Sequence, residues 1–419
     1  MAPLRHLRFR LLLAGELISN FGDGIFLVAL PWYVLAHHGG ALLLGTILTA
    51  YGVPRTALLI VGGHASDRYR PWTVMLAANC ARGLAVTAFA VTAATGTAHG
   101  PVLTVIAIVL GAGEGMFIPA SSSIVPALVP ADELQSGNAL ISGTTQLSQL
   151  AGPALGGLLV VLVGPADSFA LDAATFAVSA LTLAGVRRDA PQTATTANPT
   201  DPAGNHVTLR DVISQPIVRL LLVTDALVNL GSTGMGRVAL PALAKGPMHL
   251  HASGYGALSA AMGAGLLLGT IIASSMPSAR RPLLVSTVVL VPTVPLIAVL
   301  PYAGGGWVTA AIILILAFIL IAIGNLLLIT ALQQWAPPEL LGRLTGVLMF
   351  ASVGMMPVST LIAGVVVRFA GPQTYFPLAA ATVAIAAIAQ LTSRTWRRFE
   401  PRSGRDANAQ QPPATAKRS

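Results

Sequence analysis

The sequence contains little charge. Of its 419 residues only 9% are Asp, Glu, Lys or Arg, whereas a soluble domain carries about 25%, and the mean hydropathy is +0.75. So little charge cannot cover a water-facing surface, which excludes an ordinary soluble protein. Apolar runs of about 20 residues or more recur along the chain, the length that an α-helix needs to cross about 30 Å of hydrocarbon. The sequence therefore predicts an all-α integral membrane protein.

Cysteine, lysine and familiar catalytic motifs are also scarce. Cys80 is the single cysteine and lies in an apolar run, so no intrachain disulfide can form. Neither of the two lysines stands in a Gly-x-x-x-x-Gly-Lys-Ser/Thr loop, which excludes a nucleotide-binding motor in this chain. The motifs His-Glu-x-x-His and Gly-x-Ser-x-Gly are missing too, which argues against a membrane protease or lipase. We therefore expect no enzyme, no cofactor and no metal site, and an ion gradient as the energy source.

Twelve apolar segments are separated by Gly, Pro and charged residues. They are predicted at 11–36, 41–63, 72–94, 101–119, 138–163, 166–186, 216–243, 252–276, 282–301, 306–330, 344–368 and 372–393. The run Ser121-Ser122-Ser123 falls outside them and is predicted as a polar loop. The longest polar interruption is rich in Thr, Pro, Asp and Asn. We expect an N-terminal six-helix bundle at 1–186, a flexible cytoplasmic linker at 187–215, a C-terminal six-helix bundle at 216–393 and a basic, lipid-anchoring cytoplasmic tail at 394–419.

Basic residues are distributed unevenly between the two sides of the membrane. With the N-terminus inside, 18 of the 24 Lys and Arg residues fall in cytoplasmic segments, Lys245 and Arg368 fall outside, and four lie within helices. Because positive loops stay in the cytoplasm, both termini are predicted to be cytoplasmic. Arginine outnumbers lysine 22 to 2, as in GC-rich bacterial genomes, so we expect the inner (cytoplasmic) membrane. We therefore attribute the net charge of +9 to interaction with the lipid bilayer and not to nucleic-acid binding.

The two halves of the chain repeat each other in parallel. At an offset of 209 residues, an acid, an amide and a glycine of the first helix recur in the seventh: Glu16, Asn20 and Gly22 as Asp225, Asn229 and Gly231. Other sets recur at 210 or 211: Ala29-Leu30-Pro31 as Ala239-Leu240-Pro241, Gly45 and Gly52 as Gly256 and Gly263, and Gly113 as Gly324. Two six-helix bundles related by an axis along the membrane normal form a plan in which the halves rock around a midplane site. A duplicated channel and a duplicated membrane-embedded enzyme are alternatives that the repeat alone does not exclude.

A charged segment joins the second and third helices on the predicted cytoplasmic side. It reads Gly63-His-Ala-Ser-Asp67-Arg68-Tyr69-Arg70 and resembles the signature loop of the major facilitator superfamily, Gly-x-x-x-Asp-Arg-x-Gly-Arg-Arg. In that motif a Gly turn lets an Asp at one helix end pair with an Arg at the next, which holds the cytoplasmic side shut in one state. Arg70 stands where the family motif has its second glycine, and Pro71-Trp72 stands where the motif has its final pair of arginines. The residues carried over as a cytoplasmic gate are Gly63, Asp67 and Arg68.

A glycine-rich stretch of the fifth helix is similar to the end of the motif typical of antiporters in this superfamily. It reads Gly152-Pro153-Ala-Leu-Gly156-Gly157, although Ser148 replaces another glycine of the pattern. Small residues let helices approach closely, and proline bends a helix. Generic packing of membrane helices is the alternative, but the charged segment in the same half favours the antiporter interpretation.

Further stretches of the first half resemble the macrolide-efflux branch of the superfamily. They are Ser19-Asn20-Phe-Gly22-Asp23, Gly113-Glu114-Gly-Met-Phe-Ile-Pro119, Pro126-Ala-Leu-Val-Pro130-Ala-Asp132-Glu133-Leu134 and Asn138-Ala-Leu. The resemblance covers most of residues 11–190 and implies twelve transmembrane helices in the major facilitator fold of two parallel-repeat bundles. Many drug–proton antiporters carry an Arg near position 109, where this chain has Val109, so a coupling scheme built on that arginine does not transfer.

Eight charged residues remain inside the predicted helices, where a charge costs about 2.5 to 3.5 kcal/mol and therefore faces a cavity or a partner. Spacings of four and three residues place Glu16, Asn20 and Asp23 on one face of the first helix. Counted from the cytoplasmic end, Glu114 is about as deep as Glu16, and Arg82 is close to the depth of Asp23. The eight are Glu16, Asp23, Arg55, Arg82, Glu114, Asp172, Asp225 and Arg237.

A carboxyl group whose neighbours alternate between two states can bind and release a proton in each cycle. We hypothesise that Asp23 or Glu114 is this proton carrier and that Glu16 attracts a cationic or hydrogen-bonding substrate. The alternative is that two permanent structural pairs exist, Arg82 with Asp23 and Arg55 with Glu114.

The second half supplies an equivalent polar face through Asp225 and Asn229. Arg219 and Arg237 are placed near helix ends, where long side chains reach toward the headgroups. The sequence is equally consistent with a structural role and with a functional role for Asp172.

These observations predict a monomeric secondary transporter. It would export hydrophobic or amphipathic small molecules, such as macrolide-like drugs or antibiotics, in exchange for protons. Export of an endogenous metabolite or siderophore is the alternative within transport. A non-transporting membrane sensor on the same scaffold is the alternative from another class.

Overall fold

The computed structural model describes residues 2–37, 39–186, 214–277, 279–302, 306–336 and 338–399. The predicted linker therefore lies outside the described residues except for its last two positions, and so does the predicted tail beyond residue 399. The described part is built from fifteen α-helices joined by short connections.

Six long helices form the first half. They are α1 (Leu7–Ala36), α2 (Gly40–Arg68), α3 (Pro71–Ala94), α4 (Gly100–Ile124), α5 (Leu134–Leu162) and α6 (Gly164–Val186). Each corresponds to one predicted span.

The second half contains six spans, two of which are interrupted. Its helices are α7 (Pro216–Gly234), α8 (Leu240–Lys245), α9 (Ala252–Ser275), α10 (Pro282–Leu290), α11 (Thr293–Val299), α12 (Gly306–Trp335), α13 (Pro338–Ala370), α14 (Pro372–Thr392) and α15 (Arg394–Arg397). The π-helical segment Met235–Ala239 joins α7 to α8, and α10 with α11 forms another composite span. Eleven spans of the described chain are long and apolar enough to cross a membrane, and the all-α, twelve-helix prediction is confirmed.

Proline and glycine set the ends of several helices. Pro71, Pro216 and Pro372 stand in the first turn, where the N–H that proline lacks has no partner within the helix. Gly164 and Gly371 have φ of +85°, a left-handed conformation that favours glycine. They allow the tight connections from α5 to α6 and from α13 to α14.

The fourth helix is longer than predicted. It ends at Ile124 rather than at residue 119, and Ser121 lies within it and is buried. The loop prediction for Ser121, Ser122 and Ser123 is therefore wrong. The sequence pattern predicts a helix end at Pro119, but membrane helices accommodate an internal proline because neighbouring helices and side chains satisfy the freed backbone groups.

The residues that follow the last span are packed against the second half. Trp396 of α15 is 1% exposed, and its indole N–H donates to the Leu283 carbonyl at 3.1 Å and to the Thr287 hydroxyl at 2.9 Å. The predicted boundary at 393/394 thus does not coincide with the end of the packed structure, because a buried tryptophan with two acceptors holds residues 394–399 to α10.

The hydrophobic core differs between the two membrane faces. We call the face at which α1 begins the N face, and the other the opposite face. At the opposite face a single cluster contains residues of both halves, such as Val34 and Leu44 with Leu243 and Leu258. At the N face each half has its own cluster, one around Phe9 and the other around Trp396, which includes Leu283. The halves are therefore joined at the opposite face and have separate cores at the N face.

Two glycine crossings join the halves in a symmetric way. A Cβ atom on Gly157 of α5 would meet the backbone of Gly256 in α9, and one on Gly45 of α2 would meet the backbone of Gly364 in α13. Gly45 and Gly256 are equivalent positions of the predicted repeat. The equivalent crossings support the parallel duplication.

Candidate functional site

Six charged side chains lie together at the middle of the bundle and form what we call the charge layer. The layer contains three acids and three arginines, so its formal charge is zero. Its members are Asp23 on α1, Arg55 on α2, Arg82 on α3, Glu114 on α4, Asp172 on α6 and Arg237 in the π-helical segment.

Arg82 and Asp23 form an ion pair. The Arg82 Nη2 atom donates to the two carboxylate oxygens at 2.6 and 2.7 Å. Arg82 is buried, while 35% of the Asp23 side chain is exposed. The guanidinium carbon also lies 4.5 Å from the centre of the Phe176 ring, a favourable cation–π position. The pair considered from the sequence is thus present.

Arg55 and Glu114 form the second pair. The Arg55 Nε atom lies 3.1 Å from Glu114 Oε1, but its N–H is not directed at the oxygen, so the contact is an ion pair without a hydrogen bond. Glu114 Oε2 is buried and has no hydrogen-bond partner in the described chain. Flanking glycines make room for the arginines, because a Cβ on Gly113 would meet Arg82 and one on Gly115 would meet Arg55.

The depth predicted for Glu114 is wrong. The sequence predicts it level with Glu16, but the Glu16 carboxylate contacts Ser121, which lies about two turns nearer the N face on α4 than Glu114 does. At this depth it interacts electrostatically with Asp23 and Arg237. Glu114 therefore belongs to the charge layer and not to the level of Glu16.

Arg237 is the contribution of the second half to the layer. It lies in the π-helical segment in the interior of the seventh span, not near a helix end as predicted. Its Nη1 atom is buried without a hydrogen-bond partner among the described residues. It interacts electrostatically with Arg55, Glu114 and Tyr255. The repeat could have located it, since the offset of 210 residues makes Arg237 equivalent to Leu27, which lines the same cavity.

A small cavity of about 40 Å³ adjoins the charge layer. Its polar lining comprises Asp23, Arg82, Asp172 and Arg237, and apolar and aromatic side chains form the rest, including Phe26. This volume accommodates about one or two water molecules. The centre of the protein is thus closed around its charges in this conformation.

Glu16 lies apart from the charge layer. It is 4% exposed, and its carboxylate accepts a hydrogen bond from Ser121 on α4. Asn20 is half-buried on the same helix. The predicted acidic face of α1 thus divides between two levels, with Glu16 paired to a hydroxyl and Asp23 paired to an arginine.

The equivalent face of the second half has its own hydrogen bonds. Asp225 accepts from the Ser352 hydroxyl at 2.5 Å, and Asn229 donates to the Asp225 carboxylate at 3.2 Å. These contacts join α7 to α13. They place the two predicted residues together, and their role in transport stays a prediction.

The predicted cytoplasmic gate lies in a helix and not in a loop. Helix α2 continues through Arg68 because polar residues can extend a helix beyond the hydrocarbon region, so Gly63 does not form a tight turn. Arg68 is exposed, with its guanidinium carbon 6.0 Å from the centre of the Tyr69 ring. The side chain of Asp67 lies outside the described part, and its pairing stays a prediction.

The glycine-rich stretch of α5 packs against two helices. Cβ atoms on Gly152 and Gly156 would meet the α1 backbone at Gly24 and Ile25, while Gly157 makes the crossing with the second half. The backbone of Pro153 lies within α5, and its side chain lies outside the described part. The stretch therefore joins α1 of its own half to α9 of the other half.

Two further features lie away from the charge layer. A groove of about 800 Å³ at the opposite face is lined by residues that include Lys245 and Arg368, and Lys245 donates to the Leu35 carbonyl across the halves. In the part of the chain that the structure describes, no group of three or more His, Cys, Asp or Glu side chains could hold a metal ion.

Comparison with known proteins identifies the family. Residues 12–358 match the model of the Major Facilitator Superfamily. Relatives include the enterobactin exporter EntS of Salmonella typhi, 29% identical over 354 residues that cover 81% of each chain. Another is the multidrug efflux pump Tap of Mycolicibacterium fortuitum, 26% identical over 376 residues that cover 87% of this chain and 90% of that protein.

Solved structures share the fold. The nucleoside transporter NupG aligns with a TM-score of 0.71 at 14% identity and covers 91% of this chain and 98% of its own. A bacterial homologue of the iron transporter ferroportin aligns with a TM-score of 0.69 at 15% identity, over 91% and 97% of the two chains. The resemblance found in the sequence is confirmed, and the chain belongs to the Major Facilitator Superfamily as a multi-pass membrane transporter.

Proposed function

We propose that this transporter exports amphipathic small molecules across the bacterial inner membrane, by alternating access and in exchange for protons. The charge layer at the junction of the two halves is the observation that carries the proposal. Charged groups at bilayer depth are costly and are retained where they serve transport or proton movement. Relatives that are named as exporters support the outward direction.

Alternating access fits the distribution of the hydrophobic cores. Because positive loops stay inside, the N face is assigned to the cytoplasm, with both termini there. The shared core at the opposite face then closes the outer side, while separate cores at the N face allow the halves to part toward the cytoplasm. This is the state in which an exporter would take up its substrate. We expect it to work as a monomer, without a cofactor.

Glu114 is our proposed proton carrier, with Asp23 as its partner in the layer. Both Asp23 oxygens accept from Arg82, whereas one Glu114 oxygen has no hydrogen-bond partner in the described chain. Glu114 also interacts electrostatically with Arg237, which belongs to the other half. When the halves rock, the distance between the two groups changes, and with it the free energy of holding a charge on Glu114.

Export of a siderophore is the second candidate. Enterobactin exporters are among the relatives and match over most of this chain, as the multidrug pump Tap does. Both candidates share the mechanism and differ in substrate. Accumulation assays with a chemically diverse panel that includes a catecholate siderophore separate them.

The test is drug accumulation in a pump-deficient host, with and without a protonophore. Expression of the wild-type protein is expected to lower accumulation of at least one panel compound, and the protonophore is expected to abolish the effect. The variants Glu114→Gln, Asp23→Asn and Glu16→Gln are compared with Asp167→Asn, a matched control because Asp167 is an exposed acid at the start of α6. Energised export that survives in all three variants would refute proton coupling through these carboxyls, and unchanged accumulation across the panel would refute export.

A further inference from the structure

Two groups of the charge layer form no direct ion pair in the described part of the chain. Asp172 is fully buried, its Oδ1 accepts from the Thr175 hydroxyl at 3.3 Å, and its Oδ2 has no hydrogen-bond partner among the described residues. Arg237 likewise has a buried, unpartnered Nη1. Neither side chain forms an ion pair within 4 Å in the described part of the chain, whose ion pairs use other residues.

The other four charges of the layer form two ion pairs. Arg82 is paired with Asp23, and Arg55 with Glu114. A buried charge without a partner is destabilising, so a protein that retains two of them, of opposite sign and beside one cavity, uses them for something other than stability. The acceptor on Asp172 and the donor on Arg237 are therefore available to a ligand.

These two groups belong to different halves. Asp172 lies on α6 of the first half, and Arg237 lies in the π-helical segment of the second. Phe26, Leu30 and Tyr51 line the cavity between them and supply an apolar and aromatic wall. The cavity of about 40 Å³ holds no drug-sized molecule, so a ligand reaches both groups only when the halves part. A molecule bound to both would then bridge the halves.

We propose that the transported molecule carries an anionic group, recognised by Arg237, and a cationic or hydrogen-bond-donating group, recognised by Asp172, with a zwitterion as the simplest case. The inference rests on the export function proposed above and names the class of its substrate. The charge layer is formally neutral, so a zwitterion adds no net charge at bilayer depth. A purely anionic or purely cationic molecule adds a net charge there, and it leaves either Asp172 or Arg237 unpaired.

The test measures proton-driven transport in proteoliposomes with closely related compounds that differ in charge. Ciprofloxacin is a zwitterion, its ethyl ester is a cation and its N-acetyl derivative is an anion. Phenylalanine, its methyl ester and its N-acetyl derivative form a second set with a shorter separation of charges. We expect the wild-type protein to transport the zwitterion of at least one set about ten- to hundredfold faster than its two derivatives, the range that a hydrogen bond to a charged group provides.

Two variants separate recognition from a structural role. Arg237→Gln is expected to remove the preference for the zwitterion over the ester, and Asp172→Asn the preference for the zwitterion over the N-acetyl compound. Arg219→Gln and Asp167→Asn are matched controls, since both residues are exposed and lie on the same spans. Equal loss of transport for all three members of a set would indicate a structural role and overturn the inference.

The broad panel distinguishes failure of this inference from failure of export. If neutral or singly charged panel compounds are transported and no zwitterion is preferred in either set, the inference is wrong and the export proposal stands. If no compound is transported at all, the export proposal fails and the inference fails with it.

Discussion

Arg82 and Asp23 form the shortest ion pair of the charge layer, at 2.6 Å, and their arrangement shows how single residues hold the site. The arginine side chain is 5% exposed, and both oxygens of the Asp23 carboxylate accept from its Nη2 atom. Removing one partner of such a pair leaves an uncompensated buried charge, whereas removing both leaves none. The stability of the protein should therefore depend on the two residues jointly.

We predict that Asp23→Asn, which leaves the buried Arg82 uncompensated, destabilises the purified protein by about 3 to 5 kcal/mol. We expect Arg82→Met to cost less, because the remaining Asp23 side chain is 35% exposed, and the double variant to cost clearly less than the sum of the two. Thermal unfolding in detergent provides the measurement, analysed as a double-mutant cycle. Additive losses would show that the two side chains contribute independently and that the pair has no special role.

At this scale the sequence predicted some neighbours and missed others. Counting residues from the helix start correctly brought Arg82 near Asp23. The same count misplaced Glu114, since residues equally far from the ends of two helices need not lie at the same depth. It also misplaced Arg237, whose position only the repeat between the halves indicates. Asp172 was recognised as a candidate, but its unpaired oxygen depends on tertiary packing that no spacing specifies.

At the scale of helices, α5 connects the two halves through its glycines. Its glycines pack on α1 within the first half and on α9 across the halves. Close approach of two backbones is possible there because neither side carries a Cβ atom. The crossing at Gly157 and Gly256 therefore controls how tightly the opposite face can close.

We predict that Gly157→Val prevents full closure at the opposite face and lowers export at least tenfold, while the protein still reaches the membrane. Gly143→Val is the matched control, because Gly143 lies on the same helix and a Cβ there meets nothing within 4 Å. Drug accumulation measures export, and labelling of single cysteines introduced along the opposite face measures closure. Equal effects of the two substitutions, or normal export by Gly157→Val, would contradict this role for the crossing.

All twelve spans were predictable because a membrane helix must satisfy its own backbone and match the bilayer thickness. Their ends were less predictable. Helices α2, α4 and α5 extend beyond the predicted limits at the N face, where water satisfies the backbone and hydropathy no longer marks the end. The packing of Trp396 beyond the last span was not predicted either, since the many arginines of the segment after residue 393 indicate a solvent-exposed tail, and one aromatic residue does not outweigh them.

At the scale of the whole molecule, the repeat found in the sequence determines how the halves meet. The equivalent crossings at Gly45 and Gly256 lie toward the opposite face, and the cores are joined there and separate at the N face. A molecule built in this way can exchange which face is closed by rocking one half against the other. The charge layer lies at the junction, with five members on the first half and Arg237 on the second.

Proton movement during export tests the central claim most directly. In proteoliposomes that contain a pH-sensitive dye, adding a transported compound is expected to drive proton flux through the wild-type protein. In Glu114→Gln the same compound should still exchange across the membrane, with no accompanying proton flux. Proton flux of equal size in both proteins, or none in the wild type while it transports the compound, would contradict the account.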